Sequence, residues 1–523
     1  MTYQFPSHSG NMSALSASIP EVFQERPWGS TAVLGVVLYL IVEQIRYYRK
    51  TPNITSIGFI PVPIIGRWVA AIRFLVDPVK AILEGVARSP NGMFRIATLQ
   101  EEFVIITDRH KVTEYLKAPD SVLSAQQGAN DQQQIPYTMG YGVGHRTYHT
   151  QVVRGPITKA IGPKTPLMVD EASLALDDLI GSPNDWTPIS LYDTIAMMVA
   201  RISSRVYVGK SFCLNKEYLQ NSADYAQAVV ISAEILRVFP EWTKGFITRF
   251  LPVMKYRRAA ERILGPYIQD RLDGKTDEYG NKPDDLVQQL IDAAPPVEKT
   301  MPQISERIMA LNVASIHTST MLTLRLVKVL TAALYSLSAE YDKYAPELRQ
   351  EVADNLVNGE ITAETLKNLP KAESFLRESG RFNLPGLMTM QRNALKEFRF
   401  SDGTVLPVGT KVGACSKILH YDPEVYQNPE VFDGFRFLDP KYAEVKENSP
   451  VNTSRSFHVF GHGRHPCPGR FLAVQEMKIM LSLLLLQYDF KLAPGDSPKP
   501  MMIGTMALPD TFLKVQFKAR SEV

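Results

Sequence analysis

A chain of 523 residues, 45% hydrophobic and 21% charged, can bury a large core, and no stretch of it reads as a linker between separate domains. Its formal net charge of +3 leaves no basic footprint for nucleic acid. Three cysteines, Cys213, Cys415 and Cys467, are too few and odd in number for a disulfide framework, which fits a reducing, cytosol-facing compartment.

After a polar, serine-rich lead over residues 1–26, the run PWGSTAVLGVVLYLIV (Pro27–Val42) carries no charge and is followed by Arg46, Arg49 and Lys50. A membrane span takes roughly 20 apolar residues, and a shorter run can be completed by tyrosines and arginines that snorkel at its edges. The pattern therefore predicts a single transmembrane anchor over 27–45. A cleaved signal peptide fits less well, because no Lys or Arg precedes Arg26 and the apolar run lacks a small-residue cleavage site. The basic cluster places the body on the cytoplasmic side. Residues 46–66 form a basic, proline-rich connector whose IGFIPVPIIG portion (Ile57–Gly66) is predicted to be non-helical. It would hold the body, residues 67–523, close to the bilayer.

FRIATLQEEFVIITD (Phe94–Asp108) has two β-rich runs around a polar turn, which predicts a hairpin. Ala118–Gly144 is polar, rich in Gln and Gly and without a period, which predicts a long functional or disordered loop. Helical character resumes in HRTYHTQVVRGPIT, which carries Arg154. Pro166–Asp273 is mainly helical, with breaks at Phe239–Glu241 and Leu251–Pro252. Its aromatic surplus, including Phe212, Trp242, Phe246 and Phe250, fits either core packing or a lipophilic entrance. DEYGNKPDDLVQQLIDA reads as a surface turn leading into a new helix.

Ser305–Leu337 contains no proline or glycine and predicts one long central helix, apolar nearly all round. Within it, NVASIHTST (Asn312–Thr320) carries polar residues that belong in a core only if they face something polar. Ala314 and Thr318 share a face, four residues apart. Hydroxyls bonded back to their own helix carbonyls would also explain the segment. Further on, LPKAESFLRESGRF puts Glu378 and Arg381 three apart on a helical face, an arrangement worth about 0.2–0.5 kcal/mol in an isolated pair. NLPGLMTMQRNA, which carries Arg392, and FRFSDGTVLPVGTKV alternate like strands, with Asp402-Gly403 as the hairpin signal joining them.

The most specific stretch is FGHGRHPCPGRF, Phe460–Phe471, which sets Cys467 between Pro466 and Pro468 and shortly after Gly461 and Gly463. The glycines allow close backbone approach and turns closed to other residues. The prolines fix φ and remove two amide donors, leaving the remaining N–H groups to point at sulfur. The helical run that follows would put Cys467 at a helix N-terminus, where the dipole favours thiolate. A thiolate so presented suits a metal; the alternative is a buried structural cysteine.

This loop resembles that of the cytochrome P450 haem-thiolate monooxygenases, in particular fungal microsomal members of specialised metabolism. The family's Phe, its Gly three residues on, its basic residue two before the cysteine and its Gly two after correspond to Phe460, Gly463, His465 and Gly469. His465 stands where the family usually has Arg, with Arg464 beside it. The resemblance covers residues 60 to 520 or so. It implies a mainly α fold with small β-sheets, haem b with Cys467 as its axial iron ligand, and propionate contacts from Arg154, Arg392 and His465. The family's tryptophan four residues before that first arginine is Thr150 here. Its oxygen-binding helix, Ala/Gly, Gly, any residue, Asp/Glu, Thr, corresponds to Ala314 through Thr318. Thr318 thus matches the proton-relay threonine, and His317 replaces the acid. Histidine can shuttle protons near neutral pH, or it can contact substrate. The family's Glu-x-x-Arg and later Arg correspond to Glu378, Arg381 and Arg436, a buried triad that fixes the cysteine loop.

The implied reaction inserts one oxygen atom from O2 into a lipophilic small molecule, such as a terpenoid or indole alkaloid intermediate. Electrons come from NADPH through a partner NADPH–cytochrome P450 reductase, with cytochrome b5 as an optional second donor, at the endoplasmic reticulum membrane and on its cytosolic side. The chain has no Gly-rich flavin or nicotinamide unit of its own, so the reductase is a separate protein. Two rival readings remain. One is a haem-thiolate isomerase or peroxygenase needing no reductase, which His317 mildly favours and Thr318 opposes. The other is a non-catalytic haem sensor or carrier, which needs no oxygen-activating threonine.

Overall fold

Helical periodicity over most of the chain produces a mainly helical protein. A computed structural model describes residues 54–60, 62, 65–276, 280–315, 325–384, 386–442, 449–499, 501–503, 505–508 and 510–521. The anchor expected over 27–45 lies outside the described residues, and so do His317 and Thr318. Among the described residues no helix is long and apolar enough to cross a membrane.

The helix Leu191–Tyr207 shows how the core is built. Ile195, Met198, Val199, Ile202 and Val206 recur at spacings of three and four, and all are buried. Burying each such side chain contributes about 1.5–3 kcal/mol. The helix Arg470–Gln487, which follows the cysteine loop, is instead buried nearly all round from Leu472 to Leu485, as expected of a central helix. It packs on the helices Thr158–Leu179 and Tyr341–Asp354. The expected long helix is described as two segments, Met301–Ser315 and Arg325–Ala339. The first packs on Leu191–Tyr207, Lys216–Leu236 and Val253–Leu272, burying Ile304, Ile308, Met309 and Leu311. Its central position agrees with the sequence.

A six-stranded sheet runs in the order Thr55–Ser56, Met93–Ala97, Glu102–Ile106, Lys411–Cys415, Met388–Ala394, Leu123–Ser124. The expected hairpin over 94–108 is present, with Phe94 opposite Ile105 and Ile96 opposite Phe103. Asp402-Gly403 does form a turn, between Phe398–Arg399 and Val405–Leu406. It joins only those short strands, however; Met388–Ala394 pairs with Lys411–Cys415. A further strand, Thr187–Ser190, pairs with Lys514–Ala519, and the helical reading of that region missed it.

Two other expectations need correction. The non-helical connector ends earlier than Gly66, because a helix already runs from Ile65 to Val76. The long loop over 118–144 is instead folded into the strand Leu123–Ser124 and the helices Ala125–Gln133, Ile135–Thr138 and Tyr141–His145. Ser124 caps the first of these by accepting from the Gln127 N–H at 3.1 Å, and Gln134, at φ 50°, ends it. Hydrophobic periodicity cannot detect this helix because the residues it buries are Gly128, Asn130, Gln132 and Gln133.

Candidate active site

The Cys467 loop is held by its own backbone. The Cys467 N–H donates to the Phe460 carbonyl at 2.8 Å, and the Gly461 N–H donates to that of His458 at 2.8 Å. Gly461 and Gly463 have φ of 73° and 80°, a conformation that L side chains rarely adopt. Phe460 is buried. Gly469 is the N-cap of the helix Arg470–Gln487, so Cys467 sits just before the helix rather than in its first turn. Arg470 braces the loop from inside the helix, donating to the Cys467 carbonyl at 3.0 Å and to that of Val451 at 3.1 Å.

Cys467 lines a cavity of about 470 Å³, and Arg154, Arg392 and His465 line the same cavity. Residues far apart in the chain and chosen by motif are therefore brought to one place. Arg392 lies in the strand Met388–Ala394 and is 5% exposed. Its Nη1 donates to the Gln391 carbonyl at 2.8 Å, and no carboxylate stands within ion-pair distance among the described residues. A buried guanidinium without a direct ion pair is costly, and burial, only partly offset by Asp120 farther off, lowers its pKa from the ordinary arginine value. An anionic group entering the cavity would supply the direct partner that Arg392 lacks. Arg154, on a π-helical turn over Val153–Ile157, is exposed and likewise lacks an ion-pair partner among the described residues. His465 makes a different contact: its Nε2 lies 2.8 Å from Asp120 Oδ1. Burial, followed by Arg392, holds its pKa below the usual histidine range.

The expected triad is assembled. Glu378 accepts from Arg381 Nε at 2.7 Å and Nη2 at 2.8 Å, and from Arg436 Nε at 3.0 Å. The Asp433 N–H is a fourth donor, at 3.0 Å. All three side chains are buried. Arg381 also reaches the carbonyls of His420 and Pro429, and Arg436 that of Val431. The triad thus ties the helix Pro370–Phe382 to the 420–436 segment. The same helix contacts the approach to the cysteine loop, since a Cβ added at Gly380 would meet Val459 at 3.1 Å.

The other cysteines offer no rival ligand. Cys213 is buried and donates to Glu171 Oε2 at 3.1 Å; burial and that carboxylate push its thiol up to about 12. Burial pushes the Cys415 thiol up to about 11. Neither lines the cavity. Glu476, on the helix after the loop, is pushed up to about 8 by burial while Ser203 donates to it at 2.8 Å. Burial thus disfavours its charged form.

The lining also includes residues that motif reasoning passed over: Gln132, Gln133, Ile135, Met139, Ala310 and Leu311. Ala314, the one described residue of the expected oxygen-binding motif that reaches the cavity, joins them. At the edge, Arg307 Nη1 donates to His149 Nδ1 at 2.7 Å, and burial together with Arg307 pushes His149 down to about 4. Its ring is neutral, with the proton on Nε2. Arg307 is itself neutralised by the fully buried Glu298.

Comparison with known proteins agrees with this geometry. The family model "Cytochrome P450" matches residues 58–517. Cytochrome P450 monooxygenase 110 of Postia placenta is 32% identical, over 94% of this chain and 97% of its own. Cytochrome P450 monooxygenase olcJ of Penicillium canescens is 31% identical, over 88% of each. Among solved structures, a cytochrome P450DA heme domain has the same fold, with a TM-score of 0.68 over 89% of this chain and 98% of its own, at 16% identity. The chain belongs to the cytochrome P450 family of haem-thiolate monooxygenases, oxidoreductases that incorporate oxygen from O2 into their substrates.

Proposed function

We propose that Cys467 is the axial thiolate of haem b, and that the enzyme inserts one oxygen atom into a lipophilic intermediate of fungal specialised metabolism, a terpenoid or indole alkaloid. The observation that carries this reading is the shared cavity of Cys467, Arg154 and Arg392. One soft anionic donor lies beside two arginines without carboxylate partners among the described residues, and the two propionates of haem b match that pair of cations. Haem held there by Cys467 would supply the oxygen chemistry, which thiolate ligation suits. The chain's own residues bind, orient and exclude water. Arg392 and Arg154 would take the propionates, His465 holds the loop edge through Asp120, and Ala310, Leu311 and Ala314 would give the substrate an apolar wall. Electrons come from NADPH through NADPH–cytochrome P450 reductase, with cytochrome b5 as a second donor.

Thr318 is assigned the positioning of the proton donor, and His317 the place of the usual acid. With reductase and NADPH, Thr318→Ala should keep consuming NADPH while the product carrying one added oxygen falls by about 10²–10⁴ and hydrogen peroxide rises. His317→Ala should do the same if it relays protons; a changed affinity or product pattern with coupling intact would make it a substrate contact. Unchanged coupling and product in both variants would remove the relay.

The enzyme is further assigned to the endoplasmic reticulum membrane, single-pass, with the catalytic body in the cytosol. The uncharged run over 27–42 supports this, as does an exposed apolar surface. Trp242 is 87% exposed and Phe250 73%, with Phe246 nearby. Trp68 of the helix Ile65–Val76 and Val238 line one groove, so this surface continues onto that helix. Removal of residues 1–50 should move haem-bearing protein from the membrane fraction toward the soluble one. Full retention in the pellet would assign the membrane attachment to the Trp68 and Trp242 surface alone.

A further inference from the structure

We propose that the cavity takes a lipophilic substrate that already carries a hydroxyl or carbonyl group, and that Gln132 and Gln133 anchor that group. The inference rests on the monooxygenase reading and gives its substrate a polar handle. Five glutamines fall between residues 126 and 134, and three of them are satisfied locally. Gln126 donates to Asn130 at 3.0 Å, Gln127 to Asp131 at 2.7 Å, and Gln134 to the Asp131 carbonyl at 2.6 Å. Gln132 and Gln133 differ. They are 9% and 7% exposed, their carboxamides have no hydrogen-bond partner among the described residues, and both line the cavity.

Amides on residues this withdrawn from bulk solvent are normally paired, and two without a protein partner on a cavity wall point to a ligand that pairs them. The surrounding wall, with Ile135, Met139, Leu311 and Ala314, calls for an apolar skeleton. A carboxamide both donates and accepts, so it suits a hydroxyl in either role and a carbonyl as donor. The wall is anchored: Thr138 Oγ1 donates to the Gln133 carbonyl at 2.8 Å, and Tyr225 OH donates to the Thr138 carbonyl at 3.0 Å. The reaction that supplies the substrate must therefore leave oxygen on the skeleton before this enzyme acts.

The test uses the full-length holoenzyme with two probes that differ by one hydroxyl, the sesquiterpene alcohol cedrol and its parent hydrocarbon cedrane. Binding is read from the haem spectral shift and, independently, from thermal stabilisation of the protein. The parent should bind cedrol about tenfold more tightly than cedrane, the value of one well-made hydrogen bond. Gln132→Leu with Gln133→Leu should abolish that preference, and the single variants carry the same reading should the double variant fail to fold. An equal ratio in parent and variants, or failure of both probes to bind the parent, would overturn the proposal. So would loss of haem from the variants, which would make the glutamines cofactor ligands. A parent lacking the thiolate-type carbon monoxide band would instead sink the haem-thiolate reading, while thermal stabilisation would still decide the glutamines.

Discussion

Replacing Glu378 by alanine is expected to cost about 3–5 kcal/mol of folding stability, the penalty for leaving buried charges without their partner, and to lower the haem retained on purification. Glu378 accepts from four donor groups, two on Arg381, one on Arg436 and the Asp433 N–H. Its loss would leave two guanidinium groups uncompensated where water cannot reach them. Both arginines also hold carbonyls of the 420–436 segment, so the damage should spread toward the cysteine loop. Glu347→Ala is the control, because Glu347 pairs with Lys371 at the surface, where such a pair is worth about 0–1 kcal/mol. Denaturant titration and the haem-to-protein ratio compare the two. A Glu378→Ala loss no larger than the control's would remove the triad's structural role.

Replacing Cys467 by alanine is expected to abolish product formation altogether, not merely to slow it. No second thiol can take over. Cys415 is buried in a strand with its thiol pushed up to about 11, and Cys213 is occupied with Glu171. A nearby imidazole is a harder, neutral ligand that lacks the thiolate's electron donation. NADPH-dependent product from Cys467→Ala at even a tenth of the parent rate would contradict the assignment.

The site is most legible in the sequence where chemistry restricts the residue type. Cys467 with its glycines and prolines stands out from the chain alone, whereas Glu378 with Arg381, and Arg392, read by themselves as ordinary surface charges and are singled out only by the family resemblance. Helices are visible where burial follows a 3.6-residue period, as in Leu191–Tyr207. The helix Ala125–Gln133 escapes such a reading because its buried face is made of glutamine, asparagine and glycine, which carry no apolar period. The aromatics Phe239, Trp242, Phe246 and Phe250 fit core or entrance by composition, yet all are exposed; composition alone cannot say which side of a helix meets its neighbours. The partner of His465 is equally invisible in the sequence, since Asp120 is 345 residues away in the chain.

The most direct measurement is the absorption spectrum of the reduced, carbon monoxide-bound protein, taken on the full chain and on Cys467→Ala purified in parallel. Thiolate ligation by Cys467 predicts the red-shifted Soret band in the parent and its complete absence in the variant, whether or not haem remains bound. The same red-shifted band in Cys467→Ala would show that another residue ligates the iron.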